Sequence, residues 1–231
     1  MIYYFIIGIT FFISVIVSKI LKDKIKIYSK FYLQNHMSGK EIAEKMLTDN
    51  GIYDVNIISV EGELTDHYNP LNKTINLSEK VYYENSSASA AIAAHECGHV
   101  LQHKWGYNLL KFRNGLIPIL NFSSKFTHLA IMIGLTIFYS SEGKNSFILK
   151  LGIGLFSLAV FFSFITLPIE FDASKRALTW LKNKNMVTFQ EYEQAKDSLK
   201  WAAMTYVVSA LGSLAQLMYF LSIFNLNKRD E

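Results

Sequence analysis

The chain has 231 residues, of which 51% are hydrophobic and 14% aromatic, while only 18% carry a charge. That balance is rich for a water-soluble domain of this length and points to lipid-facing surface. A net charge of +4 without a basic stripe interleaved with aromatics argues against a nucleic-acid binder, and a single cysteine, Cys97, excludes an internal disulfide framework.

Uncharged apolar runs carry the next step, because a charge at the bilayer centre costs about 2.5 to 3.5 kcal/mol on insertion scales. Four such runs stand out, at residues 2–18, 126–141, 151–169 and 201–227. A spanning helix needs roughly 20 residues, and flanking lysines snorkel to extend a short run. The second run is the weakest: it contains His128 and extends back toward Leu116. The first has no positive charge before it and leaves through Lys19, Lys22 and Lys24 with no small-residue cleavage site, so it reads as an uncleaved anchor. Lys19, Lys22, Lys24, Lys26 and Lys30 follow the first run, and Lys175, Arg176, Lys182 and Lys184 follow the third. The positive-inside rule then puts both larger loops in the cytoplasm and both chain ends outside, with Lys228 and Arg229 weighing the other way.

The loop after the first run opens on Ser38-Gly-Lys-Glu41, a capping box, followed by Ile42, Ala43, Met46 and Leu47 at helical spacing, with Gly51 ending the helix. Val55, Ile57 and Ile58 read as a short strand. Residues 64–67 and 73–77 flank an Asn69-Pro70-Leu71-Asn72 turn and predict a hairpin. Ser86 or Ser87 caps the next helix, which runs through an alanine-rich stretch from Ala88 to Ala94.

On that helix lies His95-Glu96-Cys97-Gly98-His99, an HExxH sequence. Positions four apart share one helical face, so the two imidazoles can bind one zinc. Glu96 lies beside them, where it can take a proton from a water that zinc makes acidic, with a pKa of about 7. Cys97 is off the shared face and reads as a packing residue, while Gly98 permits close approach of another backbone or of substrate. A catalytic zinc wants a third protein ligand. His103 fails on geometry, since it lies eight residues from His95, roughly 12 Å along the axis. His67 reads as a strand-surface histidine with no supporting spacing. Glu170, the first charge after the third run and just past Pro168, lies on the same predicted side as the HExxH helix. Its alternative is a solvated or lysine-paired carboxylate at a membrane boundary.

Three blocks carry a family resemblance: Leu-Thr-Asp-His-Tyr at 64–68, Ala-Ala-His-Glu-Cys-Gly-His at 93–99 and Leu-Pro-Ile-Glu-Phe-Asp-Ala-Ser at 167–174. Together with the order of apolar runs they resemble the YugP-type membrane zinc metallopeptidases, which are similar to HtpX-like and CAAX-prenyl membrane peptidases. Those use HExxH plus a downstream Glu-x-x-x-Asp. The resemblance implies that Glu170 is the third zinc ligand. It also places Ser174 where the pattern has Asp, leaving Ser174 or the nearby Asp172 as the group that supports a metal-bound histidine.

The resulting expectation is a mainly α integral-membrane protein. It has about four transmembrane helices and a small α+β zincin-like catalytic portion containing the hairpin and the HExxH helix. The predicted organisation is an anchor at 1–21, a cytoplasmic catalytic portion at 22–115 and two membrane helices within 116–169. A cytoplasmic segment at 170–200 carries the third ligand, and a last membrane helix with its tail occupies 201–231. The expected activity is zinc-dependent endopeptidase chemistry with Glu96 as general base and His95, His99 and Glu170 on Zn2+. The expected partners are a peptide or protein substrate, membrane-associated by the site's location, and the lipid bilayer, with no nucleic acid. The sequence does not fix an oligomeric state. An intramembrane site-2-type protease would need a Leu-Asp-Gly partner that the sequence lacks. A non-catalytic zinc-binding scaffold or quality-control factor is the alternative.

Overall fold

A computed structural model describes residues 2–227, so Lys228 and Arg229 lie outside the described residues. In chain order the elements are α1 (Ile2–Tyr28), α2 (Gly39–Asp49), β1 (Asn56–Val60), β2 (His67–Asn69), β3 (Thr74–Ser78), α3 (Glu79–Tyr83), α4 (Ser87–Lys104), α5 (Asn108–Ser140), α6 (Phe147–Asn183) and α7 (Phe189–Asn227). Among the described residues two compact units divide the chain: one of residues 2–15, 111–167 and 206–227, the other of Ile16–Leu110 and Pro168–Thr205.

The first unit is helical. Among the described residues four helices, Tyr3–Tyr28, Asn108–Ser140, Phe147–Asn183 and Phe189–Ile223, each with part of its length in this unit, are long and apolar enough to cross a membrane. Their outer faces leave Phe5, Phe11, Phe12, Phe122, Met132 and Leu151 exposed, the surface a bilayer would cover. Inside, Ile131 and Phe138 of α5, Leu149 and Ile153 of α6 and Phe220 and Ile223 of α7 form one buried cluster. All four helices outrun the uncharged stretches within them. Charge delimits what can sit in lipid, whereas helix continuation depends on backbone hydrogen bonds. Lys111, Arg113 and Lys125 therefore sit inside α5, and α6 runs through Pro168 and Glu170 without ending.

The second unit holds a small mixed sheet of order β1-β3-β2. β2 and β3 pair antiparallel with Tyr68 opposite Ile75, which is the predicted hairpin, and β1 pairs parallel to β3 with Ile57 opposite Ile75. The first hairpin strand starts at His67 rather than at residue 64, because Leu64 has φ 59° and breaks the extended run. Ser38 caps α2 as predicted: its hydroxyl accepts from the Glu41 N–H, and the Glu41 carboxylate accepts from the Ser38 N–H at 2.8 Å. Gly51, with φ +62°, follows the end of α2 in the left-handed conformation the sequence anticipated. Ile42 and Met46 of α2, Ile75 and Leu77 of β3, Ala94 and Leu101 of α4, Leu181 of α6 and Leu199 of α7 share a single core. That core fixes α4 against its neighbours from several sides.

Candidate metal centre

The Ser86 hydroxyl accepts from the Ser89 N–H and starts α4, and the alanines that follow keep the helix thin. Thinness allows close packing on several faces, so Ala90, Ala91, Ala93, Ala94 and Cys97 are all fully buried. Cys97 packs in this core, with its thiol directed at the Ala43 carbonyl 3.6 Å away. Gly98 faces α6: a Cβ there would stand 2.5 Å from the Ala173 carbonyl oxygen. The missing side chain is what lets the backbones of α4 and α6 approach, and that approach carries Glu170 to the two histidines.

His95 Nε2 lies 3.4 Å and His99 Nε2 3.6 Å from Glu170 Oε2. The three groups each present one donor atom, and all these atoms fall within 4.8 Å of one another. Two ligands bonded at about 2.1 Å in a tetrahedral shell stand about 3.4 Å apart. The observed nitrogen–oxygen separations match that edge, and the N, N, O donor set is one that zinc takes with a position left over. Ring planes of His95 and His99 cross at 85°, so their nitrogens converge without the rings stacking.

His103 does not join this group. It is exposed, and its Nδ1 lies 2.9 Å from the Tyr68 hydroxyl. His67 sits at the start of the hairpin strand, exposed, with Nδ1 donating to the Thr65 carbonyl. Ser174 and Asp172 both lie near the cluster, by different routes. The Ser174 hydroxyl is 3.1 Å from His95 Nδ1. Asp172 touches neither histidine; its Oδ2 accepts from Arg176 Nε at 2.6 Å and from the Gln102 amide at 2.8 Å.

Gln102 is the residue that sequence reasoning passed over. It is fully buried, and its Oε1 lies 3.0 Å from His99 Nδ1. Its amide nitrogen also donates to the Ile169 carbonyl at 2.8 Å. The available signal was spacing, since a residue three past His99 lies on the same helical face.

Burial pushes the Glu96 carboxyl above its ordinary pKa; His95 and His99 oppose this, and the like charges of Glu170 and Asp66 add to it. Burial works most strongly against charge on His99, but the Glu170 and Glu96 carboxylates and the Gln102 contact together outweigh it and raise the ring's pKa. Asp66 is pushed up by burial as well, although the Ser78 N–H donates to it at 2.7 Å. A groove of about 490 Å³ is lined by Lys22 and Lys26 of α1, by Leu64 and Asp66, and by Ser89 and Ile92 of α4. Ile92 is one helical turn before Glu96, so the groove runs along the helix that carries the HExxH residues.

The chain is 41% identical over 211 residues to a protein of Bacillus subtilis (strain 168) named "Putative membrane protease YugP", covering 91% of each. No solved structure matches the chain. With four apolar helices of spanning length and a relative named as a membrane protease, this is a membrane protein. The family described as "Putative neutral zinc metallopeptidase" matches residues 3–225, which is nearly the whole chain, and the protein belongs to that family.

Proposed function

We propose that the protein is a zinc-dependent membrane endopeptidase of zincin-like build. In it His95, His99 and Glu170 hold the metal and Glu96 is the general base. The observation that carries this reading is the convergence of three donor atoms from α4 and α6 at tetrahedral-edge spacing, beside a buried carboxylate. When bound there, zinc supplies Lewis acidity that makes a water acidic near neutral pH and polarises a carbonyl. Glu96 takes one proton from the attacking water as its oxygen bonds to the scissile carbonyl carbon. It then gives that proton to the amide nitrogen as the C–N bond breaks, so the carboxylate is regenerated. Burial suits Glu96 to this work, because a carboxylate with a raised pKa accepts the proton more readily.

The groove beside Ile92 is where the peptide enters, and Asp172 and Ser174 support the metal-holding side chains. Both larger loops, 22–115 and 170–200, face the cytoplasm, which makes membrane proteins and peptides the natural substrates. Glu96→Gln tests the reading on detergent-purified protein with an unstructured protein such as casein as substrate. The variant should retain about one zinc per chain, as a mononuclear site requires, and lose cleavage. Cleavage at the wild-type rate would refute the assignment of the base. A zinc-loaded wild type that cleaves nothing would favour the scaffold alternative.

A further inference from the structure

Gln102 decides a question that the histidines alone leave open: which ring nitrogen of His99 carries the proton. The side-chain amide has one face that only donates and one that only accepts. Its nitrogen end faces two groups that only accept, the Ile169 carbonyl and the Asp172 carboxylate, both at 2.8 Å. Turning the amide over would set its oxygen against both. The Asp172 carboxylate is itself held in place by Arg176, whose Nε donates to the same Oδ2. Arg176 lies over the Trp105 ring, 5.1 Å from its centroid, which fixes the far end of the series. With the amide orientation settled, Oε1 must face His99, and an acceptor at 3.0 Å from Nδ1 requires a proton on Nδ1.

We infer that Gln102 is a positioning residue that locks His99 in the Nδ1–H tautomer and leaves the Nε2 lone pair facing Glu170, free for a metal. The inference rests on the proposed metal-holding role of His99. Arg176, Asp172 and Gln102 together do for His99 what a directly bonded carboxylate often does for a metal-bound histidine. His95 is under no such constraint. Its Nδ1 partner is the Ser174 hydroxyl, which can donate or accept, so only one of the two rings is committed in advance. The same amide nitrogen ties α4 to the Ile169 carbonyl, one residue before Glu170.

Two measurements on the detergent-purified full chain test this. In metal-free protein labelled with ¹⁵N-histidine, long-range ¹⁵N–¹H correlation at alkaline pH should show His99, assigned by its loss in His99→Gln, as the Nδ1–H tautomer. An Nε2–H pattern overturns the inference whatever the metal does. Zinc affinity by chelator competition is the second readout. Gln102→Met removes the acceptor and should weaken zinc binding roughly 10- to 100-fold. Wild-type affinity in Gln102→Met overturns the inference. If Gln102→Met does not fold, the wild-type tautomer decides alone. A wild type that binds no zinc refutes the metal reading instead, and the tautomer result stands apart from it.

Discussion

Gly98→Ala adds one methyl group where α4 meets α6. The new Cβ would lie 2.5 Å from the Ala173 carbonyl oxygen and 3.0 Å from its carbonyl carbon and Cα. The closest of these falls about 0.9 Å short of ordinary van der Waals contact. All three are backbone atoms of a buried helix, so no side chain can rotate away. Alanine gains about 1 kcal/mol of helix propensity over glycine, but overpacking of this kind costs about 1 to 3 kcal/mol. The steric cost therefore prevails, and the helices must part. His95 and His99 flank Gly98 on α4, while Glu170 and Ser174 flank Ala173 on α6, so the strain falls on the donor separations of 3.4 and 3.6 Å. Metal–ligand distances tolerate only about 0.2 Å. Zinc affinity should fall at least about tenfold, which is about 1.4 kcal/mol. Chelator competition measures the affinity, and thermal unfolding of the metal-free protein reports the packing cost separately. A Gly98→Ala variant with wild-type zinc affinity would refute the argument that this contact sets the site.

Glu170→Ala should leave the chain without stoichiometric zinc after dialysis, measured by elemental analysis; full retention would mean that another group completes the site. Ser38→Ala removes the capping box of α2 and should cost about 1 kcal/mol in denaturant unfolding with zinc content unchanged. Asp66→Asn carries a pH signature. The folded carboxyl of Asp66 is raised above its unfolded value, so the folded state binds the proton more readily between the two. As pH falls from neutral through the folded value toward the unfolded one, the wild type should gain stability relative to the variant. Thermal unfolding of both across that range checks the sign, and a gap moving the other way would contradict the burial of this group.

Local chemistry was legible in the chain itself. The Ser38 and Glu41 pair, the Ser86 cap, the alanine-rich helix and the HExxH spacing are all decided within four residues of each other, and each stands where the pattern implied. What the sequence left open depends on contacts between distant segments. Parallel pairing of β1 with β3 has no local signature, and the five-residue helix α3 is too short to show a period. The uncharged run at 126–141 understated α5, because charged residues before it prevent burial in lipid without ending a helix. Glu170 could be singled out by its place after an apolar run, but its approach to the histidines depends on Gly98 meeting Ala173 across 75 residues of chain. Gln102 was hidden for the same reason, since both acceptors of its amide lie on α6.

The placement of Glu170 on α6, 71 residues after His99, also bears on how the protein is made. A growing chain that has released α4 from the ribosome already carries both histidines and Glu96. The third donor emerges only after the apolar stretch of α6 has been synthesised and is ready for insertion. Until then the histidine pair lacks its carboxylate partner. On the proposed reading, the three-donor site is incomplete throughout synthesis of the first two apolar helices and can close only once the third has been made.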